Sequence, residues 1–132
     1  MNTQTHGVAP LSEAELLDLE ALLRARRTEL EEDGARIEEA LEAVRVARED
    51  STTDDEHDPE GPTLTNEWSR LSGLRDDLAP KLATVDGALA KIAAGTYGIC
   101  TRDGAPIGAA RLEARPEAEL CIHCARELEA RR

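Results

Sequence analysis

Phenylalanine is missing from this chain of 132 residues, tryptophan and tyrosine occur once each, and aromatic residues make up only 2% of it. That is poor material for a large globular core, because aromatic side chains supply much of the area such cores bury. No run of about 18 apolar residues occurs, so no membrane-spanning helix is expected. The opening residues MNTQTHGVAP have neither a basic start nor an apolar stretch, so no signal peptide is expected and a cytoplasmic location is the default. Positive charge is outnumbered, with 16 lysines and arginines against 28 aspartates and glutamates. The net charge is −12, and between Asp50 and Glu60 six acidic side chains stand without a lysine or arginine. Phosphate neutralisation drives most duplex binding, so this surface disfavours sequence-specific DNA contacts and suits a basic cavity on another protein. Three cysteines, an odd number, point in a reducing compartment to metal or free thiols, not to a disulfide framework.

Alanine, leucine, glutamate and arginine dominate the remainder, and these residues lose little on entering a helix. Residues 1–11 are short, polar and end near Pro10, which predicts a disordered N-terminus. Ser12 followed three residues later by Glu15 predicts a capping box. Leu16, Leu23, Leu30, Ile37 and Val44 then recur every seven residues, joined by Leu19, Ala40, Leu41 and Ala47. This is one stripe on one helix, expected to run to about residue 49, with Gly34 tolerated in its interior. Asp50–Pro62 has no apolar residue and collects Ser, Thr, Asp, Pro and Gly, which predicts a loop. A second stripe follows: Leu64, Leu71, Leu78, Val85 and Ile92, with Trp68, Leu82 and Leu89. Trp68 lies on the stripe, so it is expected in the core. The two stripes are the nearest surfaces able to bury each other, so residues 12–94 predict an antiparallel coiled-coil hairpin with its acidic tip near 50–62. Pro80 inside the second helix predicts a kink, with a complete break as the alternative. The heptads could pair within or between chains. The short connection favours pairing within, hence a monomer.

Residues 95–132 change character. Gly95 predicts the end of the second helix, and Gly98 and Gly104 predict turns of a small knuckle. Pro116 suits the first turn of a last helix that would carry Cys121, Cys124 and Leu128 inward. The spacing Cys100-x2-Asp103, seventeen residues, Cys121-x2-Cys124 is the frame of a four-cysteine zinc site with aspartate in one place. A carboxylate oxygen is an acceptable zinc donor, so Asp103 is the fourth candidate ligand, with His123 a substitute expected to turn outward. The other reading is a metal-free knuckle in which the cysteines are small buried hydrophobes and Asp103 caps or salt-bridges. No nucleophile, base and pocket constellation is visible, so catalysis is not expected.

The tract G-T-Y-G-x-C, then P-I-x-x-x-R-L-x-A-R-P-x-A-x-L-C-I-x-C, over residues 95–124, resembles the zinc finger of the DksA/TraR family of bacterial RNA polymerase regulators. The resemblance implies an all-α-dominated fold: a coiled-coil hairpin, a zinc-finger knuckle and a C-terminal helix. It implies a zinc ion, RNA polymerase as partner, and a hairpin tip that enters the polymerase secondary channel. Asp55-x2-Asp58 resembles the paired aspartates that the family carries at the tip, with Asp54, Glu56 and Glu60 beside them, although Glu60 stands where an alanine is usual. Arg111 and Arg115 match arginines of the family tract and serve either the knuckle or a partner. The expected function is a transcription regulator acting through the acidic tip. The alternative is a structural or adaptor coiled coil with another protein partner.

Overall fold

The computed structural model describes residues 6–54 and 61–132. Four helices follow one another: α1 Glu13–Asp54, α2 Gly61–Ala94, α3 Ala109–Ala114 and α4 Ile122–Ala130. No strand forms among the described residues, where pairing outside helices is limited to one antiparallel bridge between Ile99 and Pro106. Two compact units result: Met1–Arg27 with Thr84–Arg132, and Thr28–Ala83. No helix among the described residues is long and apolar enough to cross a membrane.

α1 starts where the capping box predicts. The Ser12 backbone N–H donates to Glu15 Oε1 at 2.9 Å, and the Glu15 N–H donates to Ser12 Oγ at 3.1 Å. Two donors that the first helical turn leaves unpaired are thereby satisfied reciprocally. The helix runs on to Asp54, five residues past its expected end, and α2 begins at Gly61 with Pro62 in its first turn. Proline is tolerated there because its missing N–H would have had no partner. Pro80 lies inside a single helix, so the second stripe is not broken in two.

In the unit Thr28–Ala83, α1 and α2 pack antiparallel. Gly34 faces Leu78, Glu38 pairs with Arg75 at 3.9 Å, and Arg48 lies over the Trp68 ring at 5.9 Å, so partners descend in α2 as α1 ascends. Leu41, Val44 and Leu71 form the buried cluster, with Ile37, Ala40, Leu64 and Trp68 packed around it. Each fully buried leucine or valine contributes about 1.5–3 kcal/mol of transfer free energy. Charged residues on the outer faces pair along one helix, as Arg45 does with Glu42 and, at 2.6 Å, with Glu49. Such exposed pairs add only a few tenths of a kcal/mol each, roughly. The seam therefore carries this unit.

In the other unit, Leu19 and Leu23 of α1 and Val85 and Ala88 of α2 are buried, and Arg27 Nε meets Asp86 at 2.8 Å. α2 ends at Ala94, and Gly95 after it has a φ of 78° that is open to glycine at little cost. The Thr96 N–H reaches back to the Lys91 carbonyl at 2.9 Å and the Gly95 N–H to that of Ile92 at 3.1 Å. That is a Schellman cap, which satisfies carbonyls the helix end leaves free.

Candidate metal centre

The loop after α2 folds back on itself. Cys100 N–H donates to the Ala105 carbonyl at 2.8 Å, Ile107 N–H to that of Gly98 at 2.8 Å, and Gly104 N–H to that of Cys100 at 3.0 Å. Asp103 fixes this turn from within, since its Oδ1 accepts the Ala105 N–H at 2.9 Å. One small knuckle thus presents the Cys100 and Asp103 side chains together. Thr101 N–H donates to the Glu119 carbonyl at 2.9 Å, tying the knuckle to the segment that leads into α4.

The other pair comes from the start of α4. Cys121 is its N-cap, extended at φ −66° and ψ 161°, and its Sγ accepts the Cys124 N–H at 3.4 Å. The helix thus starts at Ile122 and not at Pro116, where the sequence predicts it. Pro116 instead lies in a turn, where Ala118 N–H donates to the Arg115 carbonyl at 3.0 Å, and the thiol of Cys121 supplies the cap that a proline cannot. Leu128, expected inward, is exposed. The start of α4 is a favourable place for thiolates, because unpaired N–H groups and the helix dipole both stabilise negative charge there.

Cys100, Asp103, Cys121 and Cys124 converge, with one ligand atom from each lying within 4.8 Å of all the others. The three cysteines are buried and Asp103 is half-buried. Zinc bonds of about 2.3 Å to sulfur and about 2.0–2.2 Å to oxygen make donor-to-donor edges of roughly 3.5–3.8 Å in a tetrahedron. Cys121 Sγ and Asp103 Oδ2 are 3.6 Å apart. The donor set fits zinc.

Asp103, Cys124 and Cys100 are shifted in different directions. The Ala105 N–H, then His6, holds the Asp103 carboxyl well below the usual carboxylate range, so it stays ionised. Burial, then the hydrogen bond to Asp103, pushes the Cys124 thiol up. At Cys100 burial opposes the thiolate, but backbone N–H groups of Cys121, Asp103 and Arg102 outweigh it and the net shift is down. Three buried sulfurs stand beside the ionised Asp103 carboxylate, and a bound zinc would hold the thiols as thiolates. With four protein donors it would be a closed, cross-linking site.

Neighbouring side chains brace the knuckle. Tyr97 OH donates to the Pro116 carbonyl at 2.7 Å, Arg111 Nε to that of Leu120 at 2.9 Å, and Lys91 pairs with Glu119 at 3.1 Å. Arg111 therefore serves the knuckle, while the backbone N–H of Arg115 caps α3 on the Arg111 carbonyl at 2.8 Å. His123 is exposed and outside the ligand group, as expected; its ring stacks on His6 at 4.4 Å. Sequence reasoning missed His6, whose Nε2 is 3.0 Å from Asp103 Oδ2, because no local pattern ties residues 97 positions apart. At the tip, Asp54 ends α1, while Asp55, Glu56, Asp58 and Glu60 lie outside the described residues.

Residues 95–130 match the prokaryotic dksA/traR C4-type zinc finger family. Asp103 takes one of the four ligand places, so the zinc site here is Cys3Asp. The chain is 43% identical over 57 residues to the RNA polymerase-binding transcription factor DksA of Caulobacter vibrioides, a match covering 43% of this chain and 40% of that protein. The matched stretch is thus about two fifths of that relative's length. With the DksA of Haemophilus influenzae it is 29% identical over 114 residues, 86% of this chain and 74% of the relative. The solved structure of transcription factor DksA2 from Pseudomonas aeruginosa superposes with a TM-score of 0.72 at 30% identity, covering 91% of this chain and 87% of that one. Zinc-finger family, helical hairpin and near full-length structural likeness agree, and the chain belongs to the DksA/TraR family.

Proposed function

We propose that this chain regulates transcription by binding RNA polymerase directly, without enzymatic activity and without sequence-specific DNA contacts. The observation that carries the reading is the likeness to DksA2, a transcription factor, over 91% of the chain. The relatives from Caulobacter and Haemophilus are named as RNA polymerase-binding transcription factors. In this reading residues 12–94 are the hairpin that enters the secondary channel, and residues 95–132 are the zinc-bound knuckle. The acidic tip, Asp55 and Asp58 with Asp54, Glu56 and Glu60, is the effector. Its carboxylates would act by interacting differently with two states of the polymerase, since only a difference in affinity shifts an equilibrium. A net charge of −12 supports a basic cavity over nucleic acid as the docking surface.

The test uses purified RNA polymerase with the full chain and with Asp55→Asn/Asp58→Asn. The reading expects both proteins to be retained on polymerase and only the unaltered chain to change transcription in a purified run. Failure of the unaltered chain to bind polymerase would refute it and favour the adaptor alternative.

A further inference from the structure

Residues 6–11 lie against the knuckle at three points. His6 Nε2 stands 3.0 Å from Asp103 Oδ2, and its ring stacks on His123. Val8 packs so closely on Gly108 that a Cβ there would come within 2.5 Å of Val8 Cγ1. Leu11 packs on Gly98, where a Cβ would fall 2.9 Å from Leu11 Cδ1. The contact with Asp103 lies at the surface and is partly covered, with 28% of the His6 side chain and 18% of the Asp103 side chain exposed. A carboxylate only accepts hydrogen bonds, so Nε2 carries the proton and donates it. Asp103 therefore has both oxygens engaged by protein: Oδ1 by the Ala105 N–H at 2.9 Å and Oδ2 by His6.

This matters because aspartate is a less determined ligand than cysteine. A cysteine sulfur is placed by a single side-chain torsion, whereas a carboxylate adds a second torsion and offers two equivalent oxygens. Something outside the metal has to choose among these, and hydrogen bonds to ligands commonly do so. We propose that His6 is a positioning residue that orients Asp103 as the fourth zinc ligand, so that residues 6–11 form a strap whose docking and zinc binding strengthen each other. The proposal rests on the Cys3Asp zinc site and is independent of the polymerase reading. The coupling is reciprocal by linkage: what tightens zinc when the strap is docked must tighten the strap when zinc is bound.

The experiment measures Zn2+ affinity of the full chain by competition with a chromophoric chelator, together with the absorption spectrum of the Co2+-loaded protein. The variants are His6→Ala, His6→Gln, Asp103→Cys and the double variant His6→Ala/Asp103→Cys. His6→Ala is expected to weaken Zn2+ about 10–100-fold. His6→Gln should restore most of the loss, since its amide N–H can reach the same oxygen. In the Asp103→Cys background, removing His6 should leave the affinity unchanged, because a thiolate does not need the donor. Equal losses in both backgrounds would show a merely structural strap and overturn the proposal, as would no loss in the unaltered background. A Co2+ spectrum that loses a nitrogen ligand in His6→Ala would overturn it too, by making His6 itself a ligand.

Discussion

Two glycines should respond to the same substitution with opposite signs. Gly34 lies inside α1, and a Cβ built on it would sit 3.6 Å from Leu78 Cδ1, an ordinary van der Waals contact. Gly34→Ala gains about 1 kcal/mol of helix propensity, and the half-covered methyl adds a few tenths more, roughly, at about 0.8 kcal/mol for a fully buried group. Gly98 has φ of 82°, and its carbonyl accepts the Ile107 N–H at 2.8 Å, which keeps the backbone from relaxing out of the left-handed region. Gly98→Ala should lose about 1–2 kcal/mol from that backbone strain alone. The 2.9 Å approach to Leu11 Cδ1 adds less, because the end of a leucine can turn aside. Urea unfolding of the zinc-loaded chain, followed by far-ultraviolet circular dichroism, reads both. At a slope of about 2 kcal/mol per molar, Gly34→Ala should raise the midpoint by roughly 0.5 M. A lower midpoint for Gly34→Ala would mean that α1 and α2 approach more closely at this level than the Gly34 and Leu78 packing allows. A neutral Gly98→Ala would refute the left-handed turn that shapes the knuckle.

Three further outcomes follow from single interactions. Ser12→Ala should cost about 1 kcal/mol and speed amide exchange in the first turn of α1, because the Glu15 N–H loses its acceptor; unchanged exchange there would contradict the cap. Burial, then the nearby Glu117, pushes the Tyr97 hydroxyl up to about 12. Its ordinary value is about 10, so the protonated form is favoured by folding: that stability is complete below about pH 10 and lost as the pH rises through the folded value. The chain has one tyrosine, so absorbance at about 295 nm reports it alone, and a midpoint near 10 with the fold intact would count against the burial of Tyr97 around its hydrogen bond to the Pro116 carbonyl. Tyr97→Phe should keep the ring's packing and lose about 1 kcal/mol with that hydrogen bond, measured by thermal unfolding; a larger loss would show that the hydroxyl holds more than one carbonyl.

The hairpin was legible in the sequence because its cause is periodic. Every stripe position from Leu16 to Ala47 and from Leu64 to Ile92 is buried or half-buried, and Leu17, Leu22, Val46 and Leu74, which fall off the stripes, are exposed. The capping box at Ser12 and the stop at Gly95 were legible for a related reason: each is local chemistry within a few residues. The extension of α1 through Ser51, Thr52 and Thr53 was not, since these residues favour turns when read alone. α3 is six residues long, too short for a period, and Pro116 carried a helix-start signal that Cys121 uses instead. The four ligand positions were legible from spacing, but the choice between a zinc site and a metal-free knuckle was not. It turns on distances between segments far apart in sequence. The contact between His6 and Asp103 has the same character, spanning 97 residues without a local mark.

Everything said of the knuckle depends on Asp103 completing a four-ligand zinc site with Cys100, Cys121 and Cys124. The most direct test is metal content and native mass of the purified full chain beside Asp103→Ala, with the Co2+-substituted spectrum of each. Such a site requires one zinc per chain, a tetrahedral spectrum with three thiolate ligands, and a marked loss of affinity in Asp103→Ala. A chain that is purified without metal, takes up no Co2+ and keeps its knuckle in a chelator would contradict it.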